Sequence, residues 1–287
     1  MQLFFEQLLN GLAIGSIYAL ITLGLALVYG ILRILHVAHA AVYTVGAYVG
    51  LAIYSHTSTL LLAIPGSMLI CSLIGLAIER LVYFPLLKYP PYVPLISSIA
   101  LFLSLEELCR IIAGPELLTF PAALPFPSFS IAGVRVSGTL VAVYTVTVLV
   151  LAILWFITSK TEFGLAMRAA SQDMDVASSL GVDSRRVVDA TFAIGSAIAS
   201  VAGILVAIYY NQVYSTMGTM PAYKTLALIV VGGMGSVPGA VVASILLGLG
   251  ETLLIGFANI PMPRDALAFI AMIIVLMWKP TGLMGRG

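Results

Sequence analysis

The sequence predicts an all-α, polytopic membrane protein whose residues 1–287 form a single transmembrane domain. Hydrophobic residues make up 61% of the chain and charged residues only 9%, and the mean hydropathy is +1.12. Soluble domains carry about 25% charged residues. The apolar residues also fall into long runs, and a bilayer-spanning helix needs about 20 of them. This composition argues against a soluble enzyme or a disordered chain, and the net charge of +1 gives no reason to expect nucleic acid as a partner.

Nine apolar runs predict about eight transmembrane helices. The runs cover residues 8–32, 37–55, 60–84, 95–113, 139–158, 187–210, 225–231, 237–257 and 266–278. The seventh run is too short to span, because its residues as a helix cover roughly 10 Å of a hydrocarbon core about 30 Å thick. Residues 225–257 are therefore expected to form either a broken, re-entrant helix or two paired spans.

Lysine and arginine residues predict the orientation, because they are enriched on the cytoplasmic side of membrane proteins. With the N-terminus outside and the C-terminus inside, nine of the 13 basic residues face the cytoplasm and four face outward. The inner set is Arg33, Arg80, Lys88, Lys160, Arg168, Arg185, Arg186, Lys279 and Arg286, and the outer set is Arg110, Arg135, Lys224 and Arg264. The reverse orientation would invert this ratio.

Two longer loops interrupt the apolar runs. Residues 114–138 lie outside in this topology and contain Pro115, Pro121, Pro125 and Pro127, which oppose a regular helix and favour a compact extracytoplasmic cap. Residues 159–186 lie inside and carry four basic and four acidic residues. Within them 166–180 is rich in helix formers, and Gly181 is placed to end that helix. Such a helix is either a solvated connector or a docking element for a soluble partner.

Glycine-rich patterns mark a further region. The segment Val231-Gly-Gly-Met-Gly-Ser-Val-Pro-Gly239 interrupts an apolar stretch at membrane depth, where irregular backbone must face protein or a water-filled cavity. It predicts either a break that lines a substrate path, as in transporters, or a tight turn between packed helices. Small residues also recur every fourth position, as expected of closely packed membrane helices; these are Gly11, Gly15 and Ala19, then Gly195, Ala199, Gly203 and Ala207, then Gly235, Gly239 and Ala243.

Few ionisable residues fall inside the predicted spans, and such residues are functional candidates. Glu106 and Arg110 lie four apart, so they share a helix face and can pair; the alternative is that these side chains extend to the nearby outer interface. Glu251 either faces a cavity or pairs with another helix. His36 and His39 precede the second span, where hydrogen bonding at a helix end is a better explanation than a metal site, since no third ligand lies nearby.

Catalytic signatures were sought as well. The chain has no Gly-x-Ser-x-Gly, His-Glu-x-x-His or Walker A motif. We therefore predict no enzymatic activity, no catalytic residue and no metal.

Three motifs in order along the chain resemble one family. They are Asn10-Gly-Leu-Ala-Ile-Gly-Ser-Ile-Tyr-Ala-Leu20 with Gly24-Leu-Ala-Leu-Val-Tyr-Gly30, then Gly164-Leu-Ala-Met-Arg-Ala-Ala170 with Leu180-Gly-Val182, then Gly232-Gly-Met-Gly-Ser236 with Pro238-Gly239. Together they resemble the LivH-type permeases of branched-chain amino acid ABC transporters. The resemblance runs from one end of the chain to the other.

This resemblance implies that the helix in residues 159–186 couples the permease to an ATP-hydrolysing subunit. The residues assigned to that contact are Arg168, Ala169, Ala170, Asp173, Ala177 and Gly181. It also implies a second related permease, two cytoplasmic ATPases and an extracytoplasmic solute-binding protein, in a bacterial inner membrane. ATP and magnesium would be bound by the ATPases, so this chain would need no cofactor. The predicted substrate-path residues are His39, Tyr43, Gly232, Gly233, Gly235 and Glu251.

The solute and the mechanism each have an alternative. The family commonly has Asn-x-Ala-His-Gly before the second span, whereas this chain has His36-Val-Ala-His39-Ala40. The solute is therefore expected to be a branched-chain amino acid or a related small molecule such as an amide, urea or a short carboxylic acid. The alternative function is a stand-alone secondary transporter or channel, which would need its own coupling-ion site near the midplane.

Overall fold

A computed structural model describes residues 2–122, 124, 128–131, 134–258 and 263–285. Pro125, Pro127 and Arg286, which enter the loop and charge arguments above, lie outside these residues. The side chain of Arg264 is likewise not among the described parts.

Each of the nine predicted runs forms a helix. The first half of the chain contains α1 (Gln2–Leu32), α2 (His39–Thr57), α3 (Leu60–Ile78), a π-helical turn (Glu79–Tyr83), α4 (Phe84–Leu86) and α5 (Tyr92–Ala113). The second half contains α6 (Gly138–Lys160), α7 (Glu162–Gln172), α8 (Met174–Ser179), α9 (Ser184–Tyr210), a 3-10 turn (Ser215–Gly218), α10 (Thr219–Gly232), α11 (Val237–Ala258) and α12 (Arg264–Trp278).

Five helical segments are long and apolar enough to cross a membrane. They are Gln2–Leu32, Leu60–Leu86, Gly138–Lys160, Ser184–Tyr210 and Val237–Phe257, and Asp265–Trp278 forms a shorter apolar helix. The remaining two predicted spans, α2 and α5, have 19 and 22 residues, which is close to the length that a bilayer requires. The prediction of an all-α membrane fold is therefore confirmed.

Helix α1 lies at the centre, packed along α11 and α9 and also against α6 and α10. Glycine contacts set these packing distances. A Cβ atom at Gly15 would lie 2.9 Å from the backbone of Ile245, and one at Gly24 would lie 2.8 Å from the carbonyl oxygen of Gly195. A Cβ atom at Gly203 would lie closer still to the carbonyl oxygen of Tyr43. The small-residue ladders therefore hold helices of this one chain together.

The two ends of the bundle differ in content. At one end the inner part of α1 approaches the α10–α11 turn, with Gly30 beside Gly235, and the C-terminal tail packs on the same turn. Helices α7 and α8 lie at this end too, since α7 contacts α1 and α6. At the opposite end Tyr144 donates a hydrogen bond to the carbonyl of Leu9. This arrangement groups the segments that are predicted to be cytoplasmic.

The predicted extracytoplasmic cap contains a small β-ribbon, an addition to the all-helical expectation. Strands β1 (Phe129–Ile131) and β2 (Val134–Val136) pair antiparallel. Earlier in the loop, Leu118 exchanges backbone hydrogen bonds of 2.9 and 2.8 Å with Val213, which follows α9. Phe120 is buried with its ring 5.4 Å from that of Tyr54. These contacts tie the loop to the ends of α2 and α9.

Candidate coupling surface and transport-path residues

The coupling unit, which we define as residues 161–183, contains two helices rather than the single helix predicted over 166–180. Asp173 stands between them with extended backbone (φ −153°, ψ 114°), and its Oδ1 accepts hydrogen bonds from the backbone N–H of Asp175 and Val176 at 3.0 and 2.9 Å. An aspartate that caps a following helix interrupts the preceding one. Gly181, at φ +91°, ends α8 as predicted.

One face of the coupling unit is buried against the transmembrane helices. Met167, Ala170 and Ala177 are all buried within the chain. A Cβ atom at Gly164 would lie 2.3 Å from the carbonyl oxygen of Thr158. Ala170 and Ala177, which were assigned to a partner contact, are therefore buried within this chain, and their part in that contact stays a prediction.

The other face carries large apolar side chains in the open. Leu180 is 81% exposed, Leu165 61% and Val176 55%, and Val176 and Leu180 lie four apart on one face of α8. The unit and the first turn of α9, which follows it, also carry exposed charged residues, namely Glu162, Arg168, Asp173, Asp175, Asp183, Arg185 and Arg186. Apolar side chains with a charged rim are the usual composition of a protein interface. The sequence analysis missed these three side chains because it weighted small residues.

Arg168 occupies a position between the coupling unit and the membrane domain. Its guanidinium donates a hydrogen bond to the carbonyl oxygen of Thr158, near the end of α6. This bond satisfies one of the carbonyl groups that a helix terminus leaves free. Arg168 therefore links α7 to α6, and its assignment to the ATPase contact stays a prediction, as do those of Ala169, Asp173 and Gly181.

A charged cluster that the sequence analysis did not identify joins α3 to the start of α9. Arg80 forms an ion pair with Asp189 at 2.5 Å. Glu79, on the π-helical turn, is 1% exposed and interacts with Asp189, and π-helical turns are frequent at functional sites. The guanidinium of Arg185 lies 4.6 Å from the ring centre of Phe84. Asp189 follows the coupling unit by two helical turns, so the cluster connects that unit to α3.

The glycine motif forms a tight turn between α10 and α11. Gly233 and Gly235 have φ values of +104° and +82°, which L-residues with a Cβ atom rarely adopt. A Cβ atom at Gly239 would lie 2.0 Å from the carbonyl oxygen of Gly232. The C-terminal tail covers the turn, because the N–H groups of Leu283 and Met284 donate to the carbonyls of Val231 and Gly232 at 2.8 and 3.0 Å.

Helix α10 begins well before its predicted apolar run. Its 14 residues and the preceding 3-10 turn rise together by about 29 Å, close to the thickness of the hydrocarbon core. The structure thus has two paired helices here, and the backbone carbonyls that the motif frees are bonded by the C-terminal tail. The role of Gly232, Gly233 and Gly235 in a substrate path stays a prediction.

The chain between α1 and α2 is a second non-helical segment inside the bundle. His39 Nε2 lies 3.2 Å from the carbonyl oxygen of Ile21, which is eleven residues, or about 16 Å, before the end of α1. The N–H of Ala38 donates to Ser98 Oγ at 3.0 Å, and His36 Nδ1 is 2.6 Å from the hydroxyl of Tyr83. Hydrogen bonding at this helix end is therefore confirmed.

Tyr43 is also enclosed within the chain. Its side chain is 1% exposed and belongs to the main core cluster, and the backbone of Gly203 on α9 packs against its carbonyl. Neither His39 nor Tyr43 lines the two cavities described below. Their assignment to a substrate path stays a prediction.

Glu251 pairs with another helix, which is one of its two predicted alternatives. Lys224 Nζ lies 2.9 Å from Glu251 Oε1 and 3.1 Å from Asp265 Oδ1. The hydroxyl of Tyr18 donates to Glu251 Oε2 at 3.1 Å. Lys224 is 5% exposed and Glu251 1%. We call these four side chains the ion cluster; it joins α1, α10, α11 and α12.

One charge prediction was wrong, and one possible ion pair is replaced by another. Lys224 was placed in an outer loop, but it lies within α10, where two carboxylates neutralise a charge that hydropathy counts as unfavourable. Arg110 could by its spacing pair with Glu106, but it pairs with Glu107 at i−3, with Nε–oxygen distances of 3.1 and 3.0 Å. Glu106 instead accepts a hydrogen bond of 2.8 Å from Thr219. Spacings of three and four both bring helix residues together.

The predicted substrate-path residues therefore do not converge. His39 and Tyr43 are buried near the start of α2, the glycines lie at the end that carries the coupling unit, and Glu251 lies in the opposite half of α11.

Two cavities flank α11. The inner cavity, of about 620 Å³, lies between α1, α6, α7 and the start of α11, and Gly235 and Arg168 are among its lining residues. The second, of about 380 Å³, lies between α10, α11 and α12, with Glu251 on its wall. The inner cavity adjoins both the coupling unit and the glycine turn.

Comparison with known proteins agrees with this architecture. A family described as branched-chain amino acid transport system / permease component matches residues 7–277. The high-affinity branched-chain amino acid transport system permease protein BraD of Pseudomonas aeruginosa is 33% identical over 296 residues, covering 99% of this chain and 96% of that protein. The corresponding permease protein LivH of Salmonella typhimurium is 34% identical over 298 residues, with the same coverage.

More distant similarities were also found. The high-affinity branched-chain amino acid transport system permease protein LivM of Escherichia coli is 26% identical over 298 residues, covering 93% of this chain and 68% of that protein. Among solved structures, PsaBC from Streptococcus pneumoniae in complex with Fab has a TM-score of 0.46 at 11% identity, covering 96% of this chain and 90% of that chain.

Proposed function

Since the chain belongs to the family of permease components of the branched-chain amino acid transport system, we propose that it carries branched-chain amino acids across the cytoplasmic membrane with energy supplied by partner ATPases. As the permease component it is a multi-pass membrane protein and not the ATPase of the system. ATP and magnesium therefore belong to the partner subunits.

The observation that carries the proposed coupling is the exposed apolar face of the coupling unit. Leu165, Val176 and Leu180 are exposed on helices whose opposite face is fixed to α6 and α9. Burying one such leucine in an interface contributes about 2 kcal/mol. A rigid unit with an uncovered apolar face supports docking of an ATPase, whose movement would then reach α9 directly and α3 through the Arg80–Asp189 pair.

The proposed assembly contains a second permease and a solute-binding protein. The similarity to both LivH and LivM supports a pair of related permeases. We place the N-terminus outside and the C-terminus in the cytoplasm, because this orientation gives the charge bias described above and puts the coupling unit on the side where ATP is available. The solute-binding protein would then meet the end that carries residues 114–138.

The structure offers little support for a stand-alone transporter or channel. A coupling-ion site would use an intramembrane carboxylate, and Glu251, buried in α11, is a candidate for it. Its carboxylate is already neutralised by Lys224 at 2.9 Å and hydrogen-bonded by Tyr18. This arrangement is better explained as a contact between helices.

The test uses the whole transporter, purified with its partner subunits and reconstituted into proteoliposomes. We expect Leu180→Asp to weaken ATPase binding by about 2 kcal/mol, roughly thirty-fold in affinity, and to abolish ATP-driven leucine uptake at normal membrane levels. The matched control is Leu87→Asp, an exposed leucine at the same end of the bundle outside the coupling unit. Unchanged uptake and ATPase recovery with Leu180→Asp would refute the docking surface.

A further inference from the structure

The inner cavity extends along α1 between two neighbouring helices. Helices α6 and α11 both pack along α1, and the cavity lies on α1 between them, with α7 below it. On α1 it extends from Leu23 through Leu27 to Ile31, a rise of about 12 Å. Leu151 and Val241 line the flanking walls. An acyl chain fits such a long apolar groove better than a compact polar solute does.

The end of the groove nearest the coupling unit has a different chemistry. Arg168, Thr158, Ser159 and Ser171 line it there. Residues that line the cavity, in the part of the chain that the structure describes, include no carboxylate. The hydrogen bond to Thr158 uses one terminal nitrogen of Arg168, and a guanidinium has five N–H donors in all. The groove therefore joins an apolar body to a cationic, hydrogen-bonding end.

Two more residues mark this end as a lipid interface. Trp155 lines the cavity and is 60% exposed, and the Lys160 ammonium lies 5.5 Å from the centre of its ring. Tryptophan is enriched at the headgroup level of membranes, and basic pockets beside transmembrane helices bind anionic headgroups. Both features lie at the end of α6 that precedes the coupling unit.

We propose that the inner cavity binds one anionic phospholipid of the cytoplasmic leaflet. Its acyl chain lies along Leu23, Leu27 and Leu151, and its phosphate is held by Arg168 with support from Lys160. The bound lipid touches α7 of the coupling unit and the start of α11 together, so it acts as a wedge that fixes the unit relative to the glycine turn. The assignment to the cytoplasmic leaflet rests on the proposed orientation, whereas the site itself does not depend on ATPase docking.

The test is photolabelling of the assembled transporter in nanodiscs. Phosphatidylglycerol and phosphatidylcholine with the same diazirine acyl chain are compared at equal mole fraction. We expect the anionic lipid to label the α1 and α6 walls at least about fivefold more, given the known gain per basic residue near an anionic headgroup. Labelling is independent of ATP and of transport, so its outcome is separate from that of the coupling test.

Three variants test whether the labelled lipid lies in this groove. Leu151→Trp fills the cavity and is expected to remove the label, whereas Leu149→Trp, the same change at a 59% exposed position of α6, is expected to keep it. Arg168→Gln should lower labelling by the anionic lipid to the level of phosphatidylcholine. Equal labelling by the two lipids in the wild type, retention of the label in Leu151→Trp, or crosslinks from these walls to a partner subunit would each overturn the proposal.

Discussion

The coupling unit and the glycine turn between α10 and α11 lie at the same end of the molecule, and both attract attention through small residues. They differ in how much large apolar surface they leave exposed. The glycine turn is closely packed at its base, with Gly239 against Gly232 and the C-terminal tail bonded across it, and exposes Met234 at its tip. The coupling unit buries Ala170 and Ala177 but leaves Leu180 exposed. Small residues therefore mark close backbone contact in both regions, and the surface available to a partner lies in large side chains.

The largest effect on assembly is expected at the glycine turn between α10 and α11. In Gly239→Leu the new Cβ atom would collide with the carbonyl oxygen of Gly232 at 2.0 Å, so α10 and α11 cannot pack and we expect no assembled transporter. Gly250→Leu is the matched control on the same helix, because no atom lies within 4 Å of a Cβ there. Complex yield by size-exclusion chromatography is the measurement. Equal yields for the two variants would show that this contact is dispensable.

The two faces of the coupling unit are separated by a second pair of variants. Ala170→Glu places a carboxylate at a buried position, which costs several kcal/mol unless the group is paired, so we expect a strongly reduced yield of folded protein. Leu180→Asp should leave the yield intact and affect only uptake. Thermal unfolding and uptake, measured side by side, check this. A stable but uncoupled Ala170→Glu protein would mean that Ala170 faces the partner after all.

The ion cluster tests whether a buried polar contact between helices stabilises the fold, as the close glycine contact between α10 and α11 is expected to do. Glu251→Ala removes the carboxylate nearest to Lys224, whose side chain is buried, and breaking a buried pair costs about 3 kcal/mol. The double variant Glu251→Leu with Lys224→Met should recover most of this loss, since replacement of both partners by apolar residues is often neutral and the remaining carboxylate, Asp265, is 25% exposed and open to water. Thermal unfolding of the purified complex measures it. A double variant no more stable than the single one would contradict the structural role.

The smallest effect compares two facing glycines. Gly235→Ala puts a Cβ atom on backbone at φ +82°, which costs about 1–2 kcal/mol. Gly30→Ala, on α1 directly opposite, meets its nearest atoms at 3.7 and 3.8 Å and should be neutral or slightly stabilising, as expected for glycine in a helix. The difference between their midpoints of thermal unfolding separates the effect of backbone strain from the effect of the room available to the new Cβ atom. No difference would mean that the turn adjusts freely.

Much of the fold follows from the sequence because lipid imposes long apolar runs, and each run does form a helix. The errors arose where tertiary contacts override that pattern. The first half of α10 was not predicted because Lys224 interrupts the apolar run. The partners that neutralise Lys224, Glu251 and Asp265, are distant in sequence. Asp173 divided the coupling helix because its side chain caps the second half. Both effects depend on a specific partner that hydropathy does not represent.

The site was harder to predict than the fold. The sequence predicted helix formation in the polar segment 159–186, and α7 and α8 do form there, but the face that these helices present depends on which residues meet α6 and α9. Leu165 and Leu180 read as ordinary helix positions in the sequence. The Arg80–Asp189 pair joins residues from two different apolar runs, and no spacing rule connects them.

Cysteine crosslinking to the partner ATPase tests the account most directly. Single cysteines are introduced as Leu180→Cys and Ala177→Cys in a Cys71→Ser, Cys109→Ser background of the assembled transporter, and a short bifunctional reagent is added. Ala177 lies in the last turn of α8 and Leu180 directly after that helix; Leu180 is 81% exposed and Ala177 2%. We predict that Leu180→Cys crosslinks to the ATPase and Ala177→Cys does not. Crosslinking from Ala177→Cys alone, or from neither position, would contradict the proposed coupling surface.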